Sequence, residues 1–256
     1  MGVFVVSPLV IVTFFAFTAR DGGFGLDNFL QLRAFAPVFA RSFYLAFLAT
    51  AVCLLLGYPF AYALSRESAR VQGAALLLVM LPMWMNFLLR TYAWMNILEN
   101  NGLINRFLGN FGIGPLQLIN TQGAVVLGMV YNYLPFMILP VFTVIQKIHA
   151  SLIEAAQDLG GNARVVFARV VFPLSLPGVL SGITMVFVPS ASTFIISKLL
   201  GGGKVLLLGD LIEMQFLGNA YNLHLGSAIS IVMMLLVVLC MTVMNRFGDR
   251  GDVIYV

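Results

Sequence analysis

Long apolar runs separated by short polar segments make up most of this 256-residue chain. An α-helix needs roughly 20 apolar residues to cross the hydrocarbon core of a bilayer, and most of the runs are at least that long. The pattern therefore predicts an all-α polytopic membrane protein with a single domain over residues 1–256. We predict six membrane-spanning helices, at residues 3–19, 39–64, 73–98, 122–146, 174–198 and 225–245.

Composition supports this class of protein. The chain is 61% apolar and 9% charged, with a mean hydropathy of +0.98, whereas soluble domains carry roughly 25% charged residues. The net charge of +4 comes without any dense basic run, which argues against nucleic-acid binding. Cys53 and Cys240 both fall within apolar runs, so we expect neither a disulfide nor a metal site.

The basic residues indicate the orientation of the chain, because cytoplasmic loops carry an excess of lysine and arginine. One set of polar segments, 65–72, 147–173 and 246–256, contains Arg66, Arg70, Lys147, Arg164, Arg169, Arg246 and Arg250. The other set, 20–38, 99–121 and 199–224, contains Arg20, Arg33, Arg106 and Lys204. We therefore place the first set, and with it both termini, in the cytoplasm.

The polar segment 147–173 is the most informative part of the chain, because it is long, charged and able to form helices. Ser151 and Glu154 have the spacing of a capping box, which predicts a helix over 152–159. Gly160 and Gly161 follow, and glycine readily takes the left-handed conformation that ends a helix. We expect the chain to turn sharply at these two glycines.

A second short helix is predicted over 163–171. Asn162 is a suitable N-terminal cap for it, and Pro173 is expected to end it. This helix would present apolar side chains beside two arginines, namely Val165, Val166, Phe167 and Val170 beside Arg164 and Arg169. The segment as a whole is therefore predicted to be a helix–elbow–helix at the membrane surface.

The same segment resembles the signature loop of ABC importer permeases, whose pattern is E-A-A-x3-G-x9-I-x-L-P. The matching residues are Glu154, Ala155, Ala156, Gly160, Val170, Phe172 and Pro173, with valine and phenylalanine in place of isoleucine and leucine. The resemblance implies a type I ABC importer permease fold in which this loop docks on a cytoplasmic ATPase. The residues expected to couple to the ATPase are Glu154, Ala155, Ala156, Gly160, Arg164 and Pro173.

The resemblance also implies the partners of the chain. They are a homologous second permease subunit, an ATPase dimer that binds ATP and magnesium, and a periplasmic or lipid-anchored substrate-binding protein. This chain is expected to carry no cofactor and no catalytic residue. The glycine-rich segment 201–204 is not a phosphate-binding loop, because that motif needs glycine at Lys198 and serine or threonine at Val205.

The cargo is indicated by weaker similarity across nearly the whole chain. Segments 56–66, 81–98, 130–142 and 207–217 resemble the permeases of spermidine/putrescine importers of the bacterial inner membrane. Related permeases carry opines, other organic cations or ferric iron, so these substrates stay open as alternatives. A secondary transporter driven by an ion gradient is an alternative from a different class.

A polyamine path requires carboxylates for the ammonium groups and aromatic faces for the methylene stems. Asp210 and Glu213 are three residues apart and would share one helix face. Trp84, Tyr92 and Tyr131 are the aromatic candidates, with Glu99, Trp94, Tyr133 and Tyr221 near the same level. Arg90 lies within an apolar run, so we expect a carboxylate or carbonyl groups to pair with it.

Overall fold

The computed structural model describes residues 2–18, 23–218 and 221–248. Regular structure in these residues is helical apart from one β-bridge between Thr18 and Phe24, which confirms the all-α prediction. A 3₁₀-helix covers Leu32–Phe35, and a π-helix covers Phe167–Val171. The α-helices are α1 Gly2–Phe17, α2 Asp27–Gln31, α3 Ala36–Leu64, α4 Ala69–Trp84, α5 Phe87–Leu98, α6 Leu103–Gly109, α7 Gln122–Gln146, α8 Ala150–Asp158, α9 Ala163–Val166, α10 Phe172–Ser192, α11 Ile195–Leu200, α12 Leu208–Phe216 and α13 Leu223–Gly248.

Four helical stretches in the described residues are long and apolar enough to cross a membrane: Asp27–Leu64, Gln122–Gln146, Ala163–Ser192 and Leu223–Met244. Helix α4 and the segment Phe87–Gly109 give a fifth span if the bent pair is taken as one. Helix α1 is apolar but has 16 residues. Residue 19 of the first predicted span, and Arg20 and Arg250 of the charge comparison, lie outside the described residues.

The predicted span over 73–98 is bent, because the chain turns by 92° between α4 and the helical segment that follows it. Met85 has an extended backbone with ψ 150°. The Asn86 Oδ1 atom then accepts hydrogen bonds from the backbone N–H of Leu88 at 2.8 Å and of Leu89 at 3.4 Å. Asn86 thus caps a new helix, and a capping side chain within an apolar run favours a break over a straight span.

The predicted span over 174–198 is also interrupted. Helix α10 ends at Ser192, and α11 begins only after Phe194, whose φ of −127° is not helical. The carbonyl oxygens of Ser192 and Thr193 lie so close to Gly209 that a Cβ atom there would stand 2.6 Å from each of them. The break is therefore packed against the start of α12, which only glycine permits.

The described chain divides into two compact units, which we treat separately. The first unit comprises Met1–Ala46, Thr91–Gly128 and Ala191–Cys240. Its core contains Leu208, Leu211, Leu225 and Ile229, with Leu32, Phe35, Val38, Phe39, Phe43, Ile212 and Met233 packed against them. The helix of Ser42 joins this core through its side chain, since the Ser42 Oγ atom accepts a hydrogen bond from Leu208 N at 2.8 Å.

The second unit comprises Phe47–Arg90, Met129–Ser190 and Met241–Val256. Its helices pack closely through small residues around Met137, which is fully buried. A Cβ atom on Gly57 would lie 3.0 Å from Met137 Cγ, and one on Gly182 would lie 2.7 Å from its sulfur atom. Small residues at such positions let membrane helices approach each other. The division into units does not test the single-domain prediction, which stays a prediction.

Candidate functional site

The first predicted helix of segment 147–173 is present as α8, but its capping is not as predicted. The helix begins at Ala150, with His149 as N-cap in an extended conformation at ψ 134° and no side-chain capping bond. Ser151 therefore lies inside the first turn, where it cannot act as the cap. The start of α8 two residues earlier than predicted moves Ser151 and Glu154 out of the capping-box register.

The glycine elbow after α8 is confirmed. Gly160 has a φ of +82°, and a Cβ atom on Gly161 would lie 2.5 Å from the Ala156 carbonyl oxygen. Gly161 N donates to Ala156 O at 3.0 Å, and Gly160 N donates to Gln157 O at 2.8 Å. These two bonds form the Schellman motif, which satisfies the last carbonyls of the helix and fixes the direction of the chain beyond it.

The cap of the second helix is confirmed, but the predicted end of that helix is wrong. Val165 N donates to the Asn162 Oδ1 atom at 3.0 Å. The helix then runs without interruption over Ala163–Ser192, through Pro173. Pro173 has no N–H to donate to the carbonyl oxygen four residues before it. The π-helical turn just before Pro173 changes the hydrogen-bonding register at that point, so the helix can continue. The second helix thus leads directly into a span.

One face of this second helix packs against the end of α3. Val166 and Val171 are buried. The Phe167 ring lies 5.9 Å from the Tyr58 ring and 5.1 Å from the Tyr62 ring, measured between centroids, in edge-to-face geometry. Val166 and Phe167 therefore face the protein. Sequence reasoning missed Tyr58 and Tyr62, which hold this face in place.

The opposite face is open to solvent in this chain. The residues that resemble the ATPase-coupling motif are exposed, apart from the half-buried Ala156: Glu154, Ala155, Gly160, Arg164 and Pro173. Leu159, at the elbow, is 90% exposed, which is unusual for a large apolar side chain, and sequence reasoning missed it. Within the described residues, the Glu154 carboxylate has no hydrogen-bond or ion-pair partner. We call residues 150–173 the coupling element.

The end of α7, just before the coupling element, is tied to the short loop 65–72. The Gln146 Nε2 atom donates to the Gln72 Oε1 atom at 2.6 Å, and Gln72 Nε2 donates to the Glu67 carbonyl oxygen at 2.9 Å. A cavity of about 340 Å³ lies beside these groups, between Tyr62, Ile153 and their neighbours. The hydrogen bonds thus hold the end of α7, and α8 has free volume beside Ala150 and Ile153.

Asp210, the first predicted substrate carboxylate, has a structural role in the first unit. It is 7% exposed, and its Oδ2 atom accepts a hydrogen bond from Leu207 N at 2.9 Å, at the first turn of α12. Burial raises the pKa of Asp210, and hydrogen bonds from Ser197 and from the Leu207 amide oppose that rise. The carboxylate thus caps α12, where the helix dipole favours a negative charge.

Glu213, the second predicted carboxylate, is more accessible. Its Oε1 atom forms an ion pair with Lys198 Nζ at 3.0 Å, and the two side chains are 23% and 59% exposed. An ion pair with so exposed a partner contributes at most about 1 kcal/mol. Lys198 therefore leaves Glu213 available to a second cation. Sequence reasoning did not predict that the two residues pair.

The remaining path candidates are divided between the units. Trp84 is 74% exposed and Tyr131 half-buried in the second unit, whereas Tyr92 is 44% exposed in the first. Glu99 and Tyr221 are exposed in the first unit. A shared path through these residues stays a prediction.

Arg90 is not paired as expected. It is 8% exposed, and its Nε and Nη1 atoms have no hydrogen-bond partner in the described part of the chain. The guanidinium carbon lies 5.9 Å from the centroid of the Phe87 ring, at the outer limit of a cation–π contact. A buried cation with unsatisfied donors is costly to the fold.

Comparison with known proteins assigns this chain to a family. Residues 54–251 match the family model described as "Binding-protein-dependent transport system inner membrane component". The chain is 39% identical to the spermidine/putrescine transport system permease protein PotB of Haemophilus influenzae, over 95% of this chain and 88% of that protein. It is 36% identical to PotB of Escherichia coli K12, over 95% and 92%.

Solved structures agree on the fold. A bacterial ABC transporter that imports the acidic polysaccharide alginate matches with a TM-score of 0.78 at 17% identity, covering 97% of this chain and 91% of that one. An inward-facing methionine ABC transporter, MetNI, matches with a TM-score of 0.60 over 84% and 94%. The protein is thus a permease subunit and not the ATPase, and it belongs to the family of inner membrane components of binding-protein-dependent transport systems.

Proposed function

We propose that this chain forms half of the membrane path of an ATP-driven polyamine importer, as a six-span subunit with both termini in the cytoplasm. Its partners are a homologous second permease, an ATPase dimer and a periplasmic or lipid-anchored binding protein. The polyamine assignment is supported by the two spermidine/putrescine permeases that match nearly the whole chain. Opines, other organic cations and ferric iron have no comparable support among these relatives.

The structure of the coupling element is the observation that supports its proposed role in docking on the ATPase. Its inner face is fixed by Phe167 against Tyr58 and Tyr62, and its elbow is fixed by the Schellman bonds. Its outer face exposes Glu154 and Leu159. A surface already held in its binding conformation loses little entropy on docking, so such an element suits a permanent contact with an ATPase.

Because the second helix continues into the span Ala163–Ser192, movement of the docked element reaches the membrane directly. In the proposed cycle, ATP closes the ATPase dimer and moves the coupling element. The spans then open toward the binding protein, and hydrolysis returns them to the inward-open state. The absence of a break at Pro173 supports rigid transmission of this motion.

For the substrate, Glu213 is the carboxylate best placed to receive an ammonium group, with Tyr92 of the same unit as a proposed aromatic contact. The roles of Trp84 and Tyr131 stay predictions. Asp210 is bound within its own helix cap, so its predicted contact with substrate stays a prediction. An ammonium group that replaces Lys198 beside Glu213 would keep the local charge balanced. A polyamine has several such groups along an apolar stem.

The test is uptake of radiolabelled spermidine into proteoliposomes that hold the chain, its second permease, its ATPase and its binding protein. We expect uptake only with ATP and the complete set of subunits. Uptake by this chain alone, driven by an ion gradient, would show a secondary transporter instead. Competition by excess putrescine, but not by an opine or ferric iron, is the expected specificity, and the reverse order would refute the polyamine assignment.

A further inference from the structure

The loop between α5 and α7 is held together by one buried side chain. Asn105 is 5% exposed, and its amide nitrogen donates to Glu99 O at 3.1 Å and to Leu116 O at 2.9 Å. Leu116 N in turn donates to Asn105 Oδ1 at 2.9 Å. These three bonds join both ends of the loop around α6, so the loop presents a fixed surface.

That surface includes an apolar stripe that is exposed among the residues the structure describes. Leu103, Phe107 and Phe111 follow one another at intervals of four residues, and they are 66%, 63% and 68% exposed. The Phe107 and Phe111 rings contact each other edge to face, with centroids 5.2 Å apart. Leu103 and Phe107 share one side of α6, and the ring contact joins Phe111, just beyond the helix, to them.

A polar cavity of about 420 Å³ lies in the same loop. The residues that line it include Asn100, Asn101 and Arg106, together with Ile113 and Pro115. No carboxylate lines the cavity, and within the described residues the recorded ion pair is that of Lys198 and Glu213, so Arg106 has no acidic partner there. The cavity therefore offers one positive charge and several donors to an anion.

We propose that this loop binds an anionic phospholipid of the bilayer leaflet that it faces. The phosphate lies in the cavity against Arg106, with Asn100 and Asn101 donating to it, and the acyl chains lie along Leu103, Phe107 and Phe111. Three features together select a lipid over a soluble anion: the chain is an inner membrane component, the cavity carries one cation, and Phe107 of the exposed stripe directly follows Arg106 in the chain. Amphipathic surfaces with arginine beside phenylalanine and leucine are typical of the membrane interface.

The test measures lipid retained by the purified full chain in uncharged detergent micelles containing phosphatidylglycerol or phosphatidylcholine. Lipid bound per chain is counted by native mass spectrometry. An arginine near the membrane surface strengthens binding of anionic lipid by about fivefold. We therefore expect Arg106→Gln to reduce retained phosphatidylglycerol by about fivefold and to leave phosphatidylcholine unchanged, whereas Phe107→Ser reduces both lipids.

Arg33→Gln is the matched control, because Arg33 is also an exposed arginine in the same unit and lies outside the cavity. It should change phosphatidylglycerol retention by less than twofold. Equal losses in Arg106→Gln and Arg33→Gln would overturn the proposal. So would full displacement of phosphatidylglycerol by millimolar inorganic phosphate, which would indicate a site for a free anion. Unchanged lipid in Arg106→Gln together with weaker capture of the binding protein would assign the loop to that protein instead.

Discussion

The coupling element and the cluster around α12 both carry acidic residues on short helices outside the long spans, but they use them in opposite ways. In the α12 cluster, Asp210 is buried in its own helix cap and Glu213 is paired with Lys198. In the coupling element, Glu154 is exposed and has no partner within the described residues. Charges that are satisfied internally stabilise a fold, whereas a charge left open on a rigid surface is available to a partner.

The largest expected effect is that of reversing the charge of the exposed residue Glu154. Glu154→Arg should reduce ATP-driven spermidine uptake by about a hundredfold, because a like charge placed in an interface costs several kcal/mol. Uptake is measured in the proteoliposomes described above, after checking that the variant inserts normally. Glu67→Arg reverses an equally exposed acid in the neighbouring loop and should change uptake by less than twofold. Equal losses in both variants would remove the special role of Glu154.

The elbow provides the next test. Gly160→Val places a β-branched residue at φ +82°, where an L-residue loses roughly 1–2 kcal/mol. We expect about tenfold lower uptake with little change in the thermal midpoint, because the elbow is exposed. Gly160→Asn should retain most uptake, since asparagine tolerates this conformation. If valine and asparagine behave alike, the direction of the elbow does not matter for coupling.

In the α12 cluster, the expected effect is on stability. Asp210→Ala should lower the free energy of unfolding by about 1–3 kcal/mol, because it leaves the buried Leu207 N–H without its partner. Asp210→Asn keeps an acceptor oxygen for Leu207 N and should lose less. Thermal unfolding of the purified chain measures both variants. If alanine leaves stability unchanged and only raises the KM for spermidine, Asp210 is a substrate ligand and not a cap.

The smallest expected effect concerns the ion pair of the same cluster. Glu213→Gln should raise the KM for spermidine by about threefold to fivefold, on the order of the 1 kcal/mol that an accessible charge pair contributes. Lys198→Gln should lower KM, because it removes a cation that competes for the carboxylate. Initial uptake rates across a range of spermidine concentrations measure both. A shift in the same direction for the two variants would exclude direct contact of Glu213 with substrate.

The backbone conformations and caps that depend on a single residue type could be predicted from the sequence. Gly160 and Asn162 behave as their residue types require, and the span at 122–146 has the predicted bounds. The break at Asn86 could not be found from hydropathy, because apolar residues flank it on both sides. The break after Ser192 falls at the polar residues Ser190, Ser192 and Thr193, a signal that the sequence reasoning missed. The Asn86 cap had a usable signal, an asparagine four residues after Pro82 within an apolar run.

Two further differences arose from competition between local signals. Ser151 has the sequence of a cap, yet α8 begins earlier and places it inside the first turn. Pro173 is expected to end a helix, yet the π-helical turn before it lets the helix continue. The pairing of Lys198 with Glu213 joins residues on different helices, and no spacing rule within one helix predicts it.

The central claim is that the coupling element, and not the α12 cluster, is the surface that meets the ATPase. Cysteine cross-linking in the assembled transporter tests it most directly, after Cys53→Ala and Cys240→Ala remove the native thiols. Leu159→Cys and Leu217→Cys place a thiol at two leucines that are 90% and 83% exposed, one in each region. We predict a cross-link to the ATPase from position 159 and none from position 217. A cross-link from 217, or none from 159, would contradict the account.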